Sequence, residues 1–247
     1  MDNDEASERE AREVDAAKRQ LESTFARIIE RHADPDRLRR EYPDELRRHL
    51  EAEAARSKEE RAQNVRNARL QKWDDKVPEI WRGWSIDQLP PKFQQVCLEW
   101  LASGFDNAQN ILISGGTGSG KTTMAYALSR EVYAQGFKAK MWNVRELLAA
   151  LNPKAAAAHL TLESTKTCPL LTLDDLGSEK KSEWTSERIL EILDYRWQWK
   201  KPTIITTNLL LDGDEGPTLE DWIGDRAYSR VSAGALRLTS KAGDKRV

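Results

Sequence analysis

The run Gly115-Gly116-Thr117-Gly118-Ser119-Gly120-Lys121-Thr122 constrains this chain more than any other stretch. It follows an apolar segment, residues 110–114, that reads as a buried strand, and it opens KTTMAYALSREVYAQ, which reads as a helix. Glycines let the backbone turn tightly and aim successive N–H groups at one point, and the helix N-terminus adds partial positive charge there. A strand, such a turn and a helix make a cradle for phosphate. Residues 115–123, Thr123 included, are therefore expected to bind ATP. Lys121 would reach the β- and γ-phosphates, and the Thr122 hydroxyl would ligate Mg2+. A chance glycine-rich turn before a helix is the alternative, and it does not explain the full motif in this context.

The rest of the second half alternates in the same way. Strands are expected at 110–114, 139–144, 170–173, 203–207 and 236–239, with helices at 92–103, 121–135, 145–151 and 185–199 between them. That order implies an α/β fold, a parallel five-stranded sheet sandwiched by helices. No repeat period is visible. Leu170-Leu171-Thr172-Leu173-Asp174-Asp175 is an apolar strand ending in two carboxylates. Asp174 is placed to hold magnesium and Asp175 to orient and polarise the attacking water, work more often done by Glu. Asn208 follows the β-branched strand 203–207, where an amide could bond the γ-phosphate or the lytic water; it is equally at home as a turn residue.

Hydrophobic residues make up 39% and charged residues 32% of the 247, enough for one core but low for a wholly globular chain. The surplus polarity lies at the front. Residues 1–72 are rich in Glu, Arg and Ala, with Val14, Ala17, Leu21, Phe25 and Ile28 on one helical face and Pro35 and Pro43 as breaks. This is read as a small all-α N-terminal domain that binds a partner. The arginines 37, 39, 40, 47 and 48 read equally as a solvated face. Residues 73–91, with three tryptophans and three prolines through Pro91, are read as a linker with apolar anchors, and 92–247 as the ATPase domain. A formal charge of −2 does not advertise nucleic-acid binding, which would need a local basic patch. Cys97 and Cys168 fit no zinc spacing and suit a reducing compartment. The acidic N-terminus lacks a signal-peptide pattern and no apolar run reaches the length of a membrane span, so a cytoplasmic protein is expected.

Together these elements resemble the AAA+ ATPases, and within them the DnaC/DnaI-type helicase loaders and their IstB-like relatives, from about residue 77 onward. The run LLTLDDLGSEKKSEWTSERILEILDYRWQWKKPTIITTNL carries most of the likeness, and its Asp-Asp pair tilts towards a loader. The resemblance implies that Asn208 acts as sensor 1 and that IGDRAYSRV holds an arginine finger, Arg230 or else Arg226, which enters a neighbouring subunit's site. It implies that Arg246, in a loose match to an Asp-x-Arg ending, acts as sensor 2, and that Pro78 lies in a segment facing adenine. It also implies that the helical lid of many AAA+ proteins is missing. In related initiators the insertion between the second and third strands, here 145–166, lines a channel for single-stranded DNA; here it is Ala-rich with scattered Lys154, His159 and Lys166. The partners implied are a hexameric replicative helicase held by the N-terminal helices, single-stranded DNA, and further copies of the chain, in a bacterial or phage-infected cell. The alternatives are an IstB-like transposition helper acting on duplex DNA, and a slowly hydrolysing ATP-gated adaptor.

Overall fold

The computed structural model describes residues 44–105, 109–213 and 216–240. The helices expected before residue 44, and the Arg246 position, lie outside the described residues. The chain divides into two compact units, 1–65 and 66–247. Helix α1 (Asp44–Asp74) begins in the first and ends in the second. Within the first unit Leu50 is buried and His49 lies 3.7 Å from Glu53 one turn on. Nearly every other described side chain from 48 to 65 is exposed, as the scarcity of large apolar residues there requires.

The second unit opens on the last turns of α1, which pack along α3 (Lys121–Ala134). Arg66 donates twice to Glu131, at 2.9 and 2.5 Å, and Arg130 donates to both oxygens of Asp74 at 2.9 and 2.7 Å. Tyr126 donates to the same carboxylate, and the buried Trp73 ring sits 5.3 Å from Tyr133. Trp73, placed by its sequence at the head of a linker, thus ends a docked helix instead. Two 3-10 turns follow, Glu79–Trp81 and Ile86–Gln88, the second closed by Ser85 and Gln88 bonding reciprocally. Helix α2 (Pro91–Ala102) starts on a proline whose missing N–H costs nothing at a first turn.

The sheet has five parallel strands in the order β2-β3-β4-β1-β5. They are β1 (Ile111–Gly115), β2 (Ala139–Asn143), β3 (Leu170–Leu176), β4 (Thr203–Thr207) and β5 (Leu236–Ser240). Strand alternation sorts the core onto two faces. Ile111, Ile113, Ile204 and Leu238 meet Phe93, Trp100, Met124 and Leu128 of α2 and α3. Leu112, Leu171, Leu173 and Ile205 meet the helices of the other face. Those are α4 (Val144–Ala150), α6 (Glu183–Gln198), α7 (Leu219–Ile223) and α8 (Asp225–Ser232). The insertion after α4 forms one further helix, α5 (Ala158–Thr167), which carries an exposed Leu160.

Arg196 is the largest fully buried side chain, 1% exposed. It donates to five backbone carbonyls, those of Thr165, Lys166, Cys168, Pro169 and Pro202, and to the Thr203 hydroxyl. Burial lowers its pKa to about 10, so the guanidinium keeps its charge at neutral pH. It staples the end of α5 to the starts of β3 and β4. Among the described residues no helix is long and apolar enough to cross a membrane.

Candidate nucleotide site

The glycine-rich turn lies where β1 ends and α3 begins, at the C-terminal edge of the sheet. Gly120 caps α3 in the left-handed region, φ 88°, and its carbonyl takes the first helical bond from Met124. At Gly115 the requirement is spatial: a Cβ there would lie 2.4 Å from the Ser240 carbonyl oxygen. Strand β5 therefore runs directly beneath the turn, and the Ser240 hydroxyl donates to the Ser119 carbonyl at 2.8 Å. The Ser119 hydroxyl is itself buried without a partner.

Lys121 is buried, with its ammonium folded over the turn. It donates to the carbonyls of Gly115 (2.9 Å) and Gly116 (2.8 Å) and to Asn208 Oδ1 (2.9 Å). Asn208 Nδ2 in turn donates to Asp175 Oδ1 at 3.1 Å. The amide can only face this way, because an ammonium has no acceptor and a carboxylate no donor. Asn208 thus bridges the Lys121 ammonium to the Asp175 carboxylate.

A second network lies alongside. Asp174 Oδ1 accepts from the hydroxyls of Thr122 (2.8 Å) and Thr206 (2.7 Å), and the Thr206 oxygen accepts from the Asp175 N–H at 2.9 Å. Burial raises the Asp174 pKa, against which both hydroxyls act. Such a carboxylate gains from a cation. One carboxylate and one hydroxyl, both hard oxygen donors, fit magnesium, which usually leaves its remaining positions to phosphate and water. Asp174 and Asp175, expected to end the strand, lie within the longer β3, at an irregularity where its register against β4 shifts between Leu173 and Leu176. Asp175 has φ 61°, rare outside glycine. A bulge of this kind turns neighbouring side chains away from strict alternation, so both carboxylates can serve one site.

The structure thus brings together Gly115, Gly116, Gly118, Ser119, Gly120, Lys121, Thr122, Asp174, Asp175 and Asn208, while Thr117 forms the exposed tip of the turn and Thr123 follows in the first turn of α3. Pro78 caps the turn Glu79–Trp81, in a segment whose contacts run to α3 through Asp74 and through Lys76 over Tyr133. Arg226 and Arg230 lie on α8, and both reach Asp194 of α6. Sequence reasoning missed three residues at the turn and, at the arginines, a fourth. Thr206 and Ser240 buttress the two loops. Asp194 holds the arginines. Glu179 lies in the turn after β3, where Oε2 accepts from the Gly177 N–H at 3.1 Å while Oε1 is buried without a partner. Burial raises its pKa. The signals available were the Thr-Thr-Asn strand end and a third acid close behind Asp174-Asp175.

A parallel sheet with this turn, a carboxylate bulge and an amide at the tip of the adjacent strand defines a P-loop ATP-binding protein of AAA+ type. The model of the IstB-like ATP binding protein family matches residues 15–229, and the chain belongs to that family. It is 24% identical over 132 residues to the replicative helicase loader DnaC of Escherichia coli K12, covering 52% of each chain. It is 32% identical over 127 residues to an ATP-binding protein of insertion sequence IS1162 from Pseudomonas fluorescens, covering 49% of this chain and 54% of the relative. A crystal structure of the DnaC helicase loader superposes with a TM-score of 0.54 at 25% identity, covering 66% of this chain and all of that one. The chain spans about half the length of these two curated relatives.

Proposed function

We propose that this protein is an ATPase that loads a replicative ring helicase onto single-stranded DNA. The observation that carries the chemistry is the chain of contacts Lys121–Asn208–Asp175 beside Thr122–Asp174. Lys121 would exchange its contacts within the turn for the β- and γ-phosphates of ATP. Thr122 and Asp174 would hold magnesium, which supplies charge neutralisation for phosphoryl transfer. Asn208, released from Lys121, keeps Asp175 aimed at the attacking water. Arg230, or Arg226 beside it, would serve the site of a neighbouring copy in a homo-oligomer. Pro78 would face the adenine and Arg246 would reach the nucleotide as sensor 2.

The loader role is supported by the likeness to DnaC over the ATPase fold and by the polar helical front, residues 1–72, which would grip the hexameric helicase. Its test is co-purification of the tagged chain with its host's replicative helicase in the presence of ATP, comparing the full chain with one starting at residue 73. A complex that needs residues 1–72 supports the role; no complex in either form sinks it. The relative from an insertion sequence, at 32% identity, favours a second reading, a transposition helper. ATP-dependent filaments on duplex DNA without a helicase partner would establish that one. A slowly hydrolysing adaptor is the third: there Asp175→Asn keeps biological function, whereas Lys121→Ala loses it.

A further inference from the structure

At the sheet edge opposite the nucleotide turn, where β1 and β4 begin, lies a hollow of about 540 Å³. Its lining includes Gln109, Trp197, Lys200, Lys201 and Arg230, and none of the residues lining it is a carboxylate. Trp197 is half exposed. The geometry of Arg230 at this rim is specified from two sides. Its Nε donates to Asp194 Oδ1 at 2.5 Å, and its guanidinium lies over the Trp197 ring, 4.7 Å from the centroid. Arg226 takes the other Asp194 oxygen at 3.1 Å. The Asp194 carboxyl is held below the usual range by the Arg230 bond, so it stays ionised as the anchor. Nε is the inner nitrogen of the fork, so the outer nitrogens, those suited to bidentate phosphate contact, take no part in this bond.

We propose that Asp194 and Trp197 are positioning residues that hold the Arg230 guanidinium at the rim of a cation-lined hollow, in the orientation in which it would meet the triphosphate of a neighbouring copy. Charge complementarity argues for a phosphate group there: four cationic residues, the buried Arg196 among them, and no carboxylate line the hollow, while the nucleotide turn would present ATP at the other edge of the sheet. The two surfaces cannot meet within one chain. They pair only head to tail, a heterologous contact that closes into a ring or extends as a helix. Lys200 and Lys201 then add charge to that of Arg230. The proposal rests on the reading of Arg230 as a residue that acts in trans.

The test uses mixtures of two full-length variants. Arg230→Ala keeps its own nucleotide turn but offers no guanidinium; Asp175→Asn hydrolyses nothing but offers Arg230. Each alone should be slow and the mixture should turn over ATP. Adding Trp197→Ala or Asp194→Asn to the Asp175→Asn copy should lower kcat of the mixture at least about tenfold, within the roughly 10³–10⁵ that an arginine finger supplies, with KM unchanged. The same changes in the Arg230→Ala copy, where no guanidinium remains to be positioned, should do nothing. Trp197→Phe and Asp194→Glu should restore much of the rate. Unaltered turnover with the Trp197→Ala and Asp194→Asn donors overturns the assignment and leaves the trans reading standing. A mixture no faster than its parts overturns both. Lost binding of a fluorescent oligo-dT by Trp197→Ala or Lys200→Gln/Lys201→Gln donors, with turnover intact, would make the hollow a single-strand site and also overturn the proposal.

Discussion

Gly115 and Gly116 stand side by side in the turn and answer to different constraints. A methyl group at Gly115 would strike the Ser240 carbonyl, whereas one at Gly116 meets nothing within 4 Å. Gly115→Ala should therefore cut ATP affinity sharply while Gly116→Ala stays within a few-fold, as nucleotide titration would read. Asn208 makes a complementary case. Its amide touches groups of opposite charge with its two ends. Removing one such oriented group at a reacting centre costs about 10²–10³ in rate. Asn208→Ala should show that loss in single-turnover kcat with little change in nucleotide affinity; a loss confined to affinity would make the residue a binding group only.

At the level of elements, the staple at Arg196 should dominate stability. Each carbonyl left unsatisfied in the interior costs about 1–3 kcal/mol, less whatever water or relaxation recovers. Arg196→Met should destabilise the fold by roughly 3 kcal/mol or more, read as a lower urea midpoint. Arg196→Lys should recover part of this, since an ammonium has three donors to offer. Docking of α1 carries a pH dependence. The bond from Arg66 holds Glu131 below its usual pKa despite burial, and the bonds from Arg130 and Tyr126 to Asp74 outweigh the burial that would raise it. Carboxylates with depressed pKa contribute stability above their unfolded values, about 4, and lose it as pH falls through the lowered ones. Protection of the amides along 66–74, taken relative to the intrinsic exchange rate at each pH, should accordingly fall on acidification below about pH 4, and Glu131→Gln should remove part of that response.

Much of this architecture was legible beforehand because it is periodic. Strand 203–207 carries five buried positions, and its apolar, β-branched run announced it without help. The turn and the Asp174-Asp175 pair were legible because their chemistry demands fixed spacings. The end of α1 was not: residues 66–74 offer hardly any apolar stripe beyond Trp73, and much of what docks them is ion pairing of Arg66 and Asp74 with Glu131 and Arg130 far along the chain. Helices α5 and α7 are short and lack a sustained period. Arg196 was not singled out, because arginine is seldom fully buried and nothing local marks one that serves a set of carbonyls. Asp194 was invisible for the same reason, since its meaning comes from arginines on another element.

For the whole molecule, the separation of the two edges of the sheet has a kinetic signature. A site completed by Arg230 of another copy works only in the assembled state, so turnover per chain should rise with protein concentration, then level off. Arg230→Ala should flatten that curve, and a rate independent of dilution would remove the case for assembly.

The seat of the phosphate turn adds a matter of timing. Ser119 and the strand residue beneath it, Ser240, are 121 positions apart, and β5 follows every other strand in chain order. A ribosome extends a chain at about 5–20 residues per second, so the turn emerges many seconds before its floor does. Until β5 slots in beside β1 the nascent protein has the glycine motif but not the seat that shapes it. The turn can take its folded seat only once β5 has been made, so chains ending before residue 236 should bind ATP more weakly than the full chain, as nucleotide titration would read.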